Sequence, residues 1–193
     1  NLFLSSVSLD DWSQGGAFVH NLFGGRITRI AELGRETPWH PEHSTELSGL
    51  SNIPGGDERY YNNLFVYPSA LKSAEGKLHS VRRGDVETHQ PYPNFCEDNA
   101  FLTRVPEIEK RKDGYYLDIG NGWQPLQPMP AVSTGRLGKN RVSGHSYKDT
   151  DGNELDLSVD FFGRPRADAN DLVAGPFAAS SISGPSLKLA QPP

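Results

Sequence analysis

Asn21-Leu22-Phe23 repeats Asn1-Leu2-Phe3 at an interval of 20 residues and returns as Asn63-Leu64-Phe65 after a further 42, about twice the first interval. Self-similarity at a period of about 20 to 50 residues marks chains in which no turn of backbone can bury its apolar face until the next turn stacks on it. Asn suits the start of such a rung: it tolerates left-handed backbone geometry and can bond sideways to its counterpart one turn away. Leu and Phe are then expected to enter a shared core. The period fits the coils of a β-helix, so the expected fold class is all-β.

Working outward from the triplets, Gly16-Ala17-Phe18-Val19, Tyr60-Tyr61, Leu64-Phe65-Val66-Tyr67, Tyr115-Tyr116-Leu117 and Val159-Asp160-Phe161-Phe162 are short and aromatic or β-branched. Gly, Asn, Pro or Asp bounds them, so they read as strands. No long window carries an apolar stripe at helical spacing, although Ser69 to Lys77 can form a helical turn or two. Residues 34–58 and 120–150 are richer in Gly, Pro, His and Asp and are expected to be long loops and coil corners. The Ala/Ser/Pro-rich stretch 168–193 is expected to pack as a cap or trail as an extended tail.

The 193 residues suit one domain, 1–193, and the 20 Gly and 15 Pro imply many turns. A net charge of −5 with no basic stripe argues against nucleic acid as a partner. No apolar run approaches the ~20 residues needed to span a bilayer, so no membrane partner is expected. Cys96 is the single cysteine and provides no disulfide framework or Cys-based zinc site. Cellular location stays open between secreted or periplasmic and cytoplasmic. The chain starts on Asn1 and enters at once on a strand-like segment, so the N-terminus is expected to be a cut one.

The densest polar constellation runs from Thr37-Pro38-Trp39-His40-Pro41-Glu42-His43-Ser44-Thr45-Glu46 to Gly55-Gly56-Asp57-Glu58-Arg59. Two His, several carboxylates, an Arg and a Trp can supply acid and base groups, or hydrogen bonds and a stacking platform for a sugar ring. A zinc reading of His40 and His43 is poor, because His-x-x-His around a Pro does not match the helical i, i+4 arrangement; the plainer alternative is that both cap loops and bond to carbonyls. Asp10-Asp11-Trp12-Ser13-Gln14-Gly15-Gly16 is either sugar-compatible or a polar turn between coils. Asp149-Thr150-Asp151-Gly152-Asn153-Glu154 matches only part of a calcium loop and reads better as a tight Asp-Gly turn.

Three of these stretches resemble β-helix glycoside hydrolases of glycoside hydrolase family 120, whose characterised activity is that of β-xylosidases. They are Ser8 to Leu22, Thr37 to Glu46 and Gly55-Gly56-Asp57-Glu58-Arg59-Tyr60-Tyr61-Asn62-Asn63. Later echoes are Leu137-Gly138-Lys139, Asp149 to Gly152, Asp160-Phe161-Phe162-Gly163 and Gly175-Pro176-Phe177. The resemblance implies the last coils and C-terminal tail of a right-handed parallel β-helix. It also implies a retaining mechanism in which one carboxylate attacks the anomeric carbon and a second serves as acid and then base, the two about 5–5.5 Å apart.

In that family the nucleophilic Asp and the acid/base Glu align to coils before Asn1, so this chain is expected to lack both. It would depend on upstream β-helix coils from the same or a partner chain. Asp11 lies in a setting that also loosely resembles the nucleophile's own coil, but its spacing to Gln14-Gly15-Gly16 matches the later, non-nucleophilic coil.

The expected role is part of a glycoside hydrolase acting on β-xylosides or xylo-oligosaccharides, with no cofactor. His40, His43, Glu46, Asp57 and Arg59 are the candidates for substrate contact or its support, chosen on residue chemistry. Were the chain active alone, Asp11, Glu32 and Glu46 would be the candidates for acid and nucleophile. A non-catalytic carbohydrate-binding or structural β-helix module is the alternative. A polysaccharide lyase fits less well, for want of an assembled Lys or Arg base and calcium cluster.

Overall fold

The computed structural model describes residues 1–66, 92–120 and 126–190. It is almost all β. In chain order the first strands are β1 (Leu2–Phe3), β2 (Val7–Asp11), β3 (Ala17–Val19), β4 (Leu22–Phe23) and β5 (Arg26–Arg29). A hairpin of β6 (Glu32–Trp39) and β7 (Gly49–Ile53) follows. Next come β8 (Arg59–Tyr61), β9 (Leu64–Val66), β10 (Phe95–Glu97), β11 (Ala100–Leu102), β12 (Glu107–Arg111) and β13 (Gly114–Asp118), with β14 (Ser186–Ala190) near the end.

The three Asn-Leu-Phe triplets stack one above another. β1, β4 and β9 pair in parallel with Leu2 beside Leu22 beside Leu64 and Phe3 beside Phe23 beside Phe65. β11 adds a fourth rung, placing Ala100 and Phe101 beside Leu64 and Phe65. The Phe rings form a column with centroids 5.1, 5.3 and 5.7 Å apart. β3, β8 and β10 make a second parallel sheet, and β2 and β5 a third.

A ladder of Asn side chains runs beside the Phe column. Asn1 Nδ2 donates to Asn21 Oδ1 at 2.9 Å, and Asn21 Nδ2 to Asn63 Oδ1 at 3.1 Å. The backbone N–H of Asn63 donates to Asn99 Oδ1 at 2.8 Å. The left-handed residue is the one before each ladder Asn: His20, Asn62 and Asp98 all have φ of 53°. This corrects the expectation that the triplet Asn itself takes that geometry. The corner needs one reversed residue, and the Asn after it is freed to bond along the stack.

Leu and Phe do not share one core. Alternate strand residues point to opposite faces. Phe23 and Phe65 therefore pack with Tyr60 and Ile27 inside the stack. Leu22 and Leu64 face the other way, against Leu117, Ile119, Phe177 and Leu187. Residues of the C-terminal stretch thus cover the Leu face: Phe177 is fully buried, and β14 pairs antiparallel with β13, itself antiparallel to β12.

Three other expectations change. Within 34–58 the chain forms the antiparallel β6–β7 hairpin rather than a loop. Pro38 and the Gly residues hid this, yet Pro is tolerated in an edge strand, where no ladder donor is needed. Val159 to Phe162 is a turn rather than a strand, because Asp160 Oδ1 accepts the N–H groups of Phe162 (2.8 Å) and Arg164 (3.0 Å) and closes the backbone on itself. Within 120–150 one helical turn forms at Thr134–Leu137, capped by the Ser133 side chain on the Arg136 N–H. Tyr67 and the possible helical turn at Ser69 to Lys77 lie outside the described residues.

Candidate functional site

On β6 and β7 the residues that face the body of the molecule are Thr37, Trp39, Ser51 and Ile53, as the period of two requires. With Ser13 and Gln14 on one side and Asn140, Val142, Ser143 and His145 on the other, they enclose a cavity of about 320 Å³. This lies at the lower end of small-molecule sites, which run from roughly 300 to 1,000 Å³. The Trp39 indole lies across Gly49, where an added Cβ would come within 2.7 Å of Nε1. His145 meets the indole edge-on at a centroid distance of 6.0 Å. Any side chain at Gly49 would push the indole out.

Each wall is set by hydrogen bonds that buried carboxylates accept. Asp11 is buried, and its Oδ1 accepts from the Ser13 N–H (2.9 Å) and Ser13 Oγ (2.6 Å), turning the chain so that Ser13 and Gln14 face the cavity. Opposite, Asp57 and Arg59 form a buried ion pair at 2.8 Å. Arg59 donates to the carbonyls of Leu137 (3.1 Å) and Lys139 (2.6 Å), while Asp57 Oδ2 accepts the Arg141 N–H at 2.7 Å. The guanidinium lies between the rings of Phe95 and Tyr147, 4.7 and 5.1 Å from their centroids.

Asn140 completes that wall: its side chain donates to Gly15 O (3.1 Å) and accepts from the N–H groups of Val142 (2.9 Å) and Ser143 (3.0 Å). The Tyr147 hydroxyl donates to the same Gly15 carbonyl at 2.6 Å, and burial pushes its ionisation well above the usual phenol range, so it stays a donor.

Of the residues expected to contact substrate or support that contact, His40 lines the cavity. Its Nδ1 lies 2.9 Å from the Glu46 carbonyl, which can only accept, so a neutral ring carries its hydrogen there and offers Nε2 as an acceptor. His43 and Glu46 are exposed on the connection between β6 and β7 and do not line the cavity. Asp57 and Arg59 lie behind the wall, where they position backbone and are closed to a ligand. Trp39, read from the sequence as a stacking platform for a sugar ring, lines the cavity too, and so do Gln14, Thr37, Asn140 and His145, which were not singled out. Gln14 and Thr37 stood inside quoted polar stretches; Asn140 and His145 come from a third, distant segment, and nothing local marks them.

Glu32 and Glu46, two of the carboxylates considered for chemistry, are not brought together. Glu32 begins β6 and accepts the Gly34 N–H through Oε1 at 2.8 Å, whereas Glu46 lies beyond the far end of that eight-residue strand. At about 3.3 Å per residue the strand alone separates them by some 20 Å, far beyond the ~5 to 9.5 Å of glycosidase pairs. Among the described residues, no Asp or Glu lines the cavity. Among the described residues no group of three or more His, Cys, Asp and Glu is placed to hold a metal ion. Asp149 instead closes a turn, its Oδ1 accepting from Asp151 (2.9 Å) and Asn153 (2.8 Å).

The chain is similar in fold to XylC. A solved structure of XylC in complex with xylose superposes with a TM-score of 0.70 at 22% sequence identity, over 98% of this chain and 34% of that one. The chain thus spans about a third of the XylC length, and at that identity the likeness carries the fold alone. No protein-family model matches the sequence, and no curated protein matches it.

Proposed function

We propose that these residues form the C-terminal coils of a right-handed parallel β-helix in a retaining glycoside hydrolase acting on β-xylosides or xylo-oligosaccharides, of the family 120 type that the sequence resembles. The chain supplies sugar-contacting surface, and the catalytic Asp/Glu pair comes from further coils. The observation that carries this reading is the fold likeness to xylose-bound XylC along nearly the whole chain, joined to the stacked Asn-Leu-Phe rungs. The cavity chemistry agrees with it. An indole offers an apolar platform for ring C–H groups, while amide, hydroxyl and imidazole groups around it suit sugar hydroxyls.

In this division of labour the chain binds and orients. Trp39 and His40 hold a ring, the Asp57–Arg59 pair fixes the opposing wall, and attack and proton transfer belong to carboxylates elsewhere. A cavity lining without a carboxylate among the described residues agrees with a second reading, a carbohydrate-binding module with no hydrolytic role. Hydrolysis of an aryl β-xyloside separates them: the complete protein is expected to turn it over and residues 1–193 alone are not. Sugar binding by the complete protein without turnover would establish the module. Turnover by the 193 residues alone would return the chemistry to Asp11, Glu32 and Glu46.

A further inference from the structure

The Gly15 carbonyl is a seam between two walls of the cavity. The chain around it is held in place: the Gly15 N–H donates to Gly56 O and the Arg59 N–H to Gly16 O, each at 2.9 Å. Gly15 has a φ of 74°, and an added Cβ there would collide with Asn140 Nδ2, so glycine is what lets the two segments meet this closely. Segment 137–147 docks onto this floor. Arg59 holds the carbonyls of Leu137 and Lys139, and Asp57 holds the Arg141 N–H. Asn140 and Tyr147 both donate to Gly15 O, across 125 and 132 positions of sequence. Of the side chains that make these ties, Asn140 alone lines the cavity.

The two ends of the Asn140 amide act on different walls. Oδ1 accepts the N–H groups of Val142 (2.9 Å) and Ser143 (3.0 Å), shaping the turn that presents these residues to the cavity. Nδ2 reaches Gly15 O at 3.1 Å and ties that turn to the Ser13–Gln14 wall. Backbone N–H groups only donate and a carbonyl only accepts, so these partners fix which way the amide points. One side chain thus sets both the shape of its own wall and the distance to the next.

We propose that Asn140 is a positioning residue for substrate binding, which holds the cavity at the width its ligand needs and touches no reacting atom. The inference rests on the glycoside hydrolase reading above and adds what keeps its cavity preformed. A cavity that is correctly formed for only part of the time loses apparent affinity by that fraction.

Steady-state hydrolysis of an aryl β-xyloside by the complete protein tests it. Asn140→Asp keeps the acceptor for Val142 and Ser143 but sets a carboxylate oxygen against Gly15 O. Its KM is expected to rise about tenfold at unchanged kcat, as for a cavity formed about a tenth of the time. Asn140→Leu, close in size and uncharged, drops the turn as well and should raise KM further, which separates the lost bonds from an added charge. Tyr147→Phe removes the other bond to the same carbonyl from outside the lining. It should lower the melting temperature and raise KM by less than about threefold. A KM in the folded Asn140 variants that stays at the wild-type value, or rises no more than in Tyr147→Phe, makes Asn140 purely structural. So does a fall in kcat at constant KM. Each overturns this inference and leaves the proposed function standing. A complete protein that turns over no aryl β-xyloside overturns both.

Discussion

His20 occupies a left-handed corner, and its ring is tied to parts of the chain remote in sequence: Nδ1 lies 3.2 Å from Gly175 O, 155 residues away, and Nε2 faces Asn62 Nδ2 at 3.5 Å. Burial, and after it the nearby Arg166 guanidinium, lowers its pKa from 6.5 to about 4. The unfolded chain therefore binds a proton that the folded chain refuses, and stability is complete above pH 6.5 and lost as pH falls toward about 4. The full loss is on the order of 3 kcal/mol. Denaturant unfolding at stepped pH should show that decline in the wild type and a flatter profile in His20→Asn, since Asn accepts the corner geometry. Equal profiles would mean that His20 titrates normally in the fold. None of this was legible locally: a His before an Asn looks like any polar turn, and burial and Arg166 come from distant chain.

At the scale of the element, the rung is the unit. Phe23 is fully buried between Phe3 and Phe65, whereas Phe3, which residues 1–193 flank with a stacked ring on one side alone, is partly exposed. Phe23→Ala should cost about 3–5 kcal/mol and Phe3→Ala clearly less, read from denaturant midpoints at equal m-value. Equal losses would show that stacking depth does not govern stability. The triplets were readable because the same three residues must recur wherever rungs stack. The fourth rung, Asn99-Ala100-Phe101, escaped because Ala replaces Leu, and the β6–β7 hairpin escaped because Pro38 and Gly49 mimic a loop. In the hairpin, strand pairing overrode weak local preference.

Across the whole molecule, the apolar Leu face of the stack needs a cover, and the C-terminal stretch supplies it with Phe177 set among Leu22, Leu64 and Leu102. Gly175 comes close enough that an added Cβ would lie 3.2 Å from Leu64 Cβ. Phe177→Ala should therefore destabilise the whole fold by about 3–5 kcal/mol in one cooperative transition. A separate early transition of the C-terminal stretch alone would show that it is an appendage. What the sequence determined by itself was the rung: its period, its Asn-then-apolar order and its β character are local demands of stacking and repeat in the letters. Only the tertiary structure decided that Leu and Phe face opposite ways, and that Ser13–Gln14, Thr37–His40 and Asn140–His145 enclose one cavity. It also set Asp57 and Arg59 behind the wall instead of in it. Those outcomes depend on which remote surfaces meet, and no local pattern encodes a meeting between segments more than a hundred residues apart.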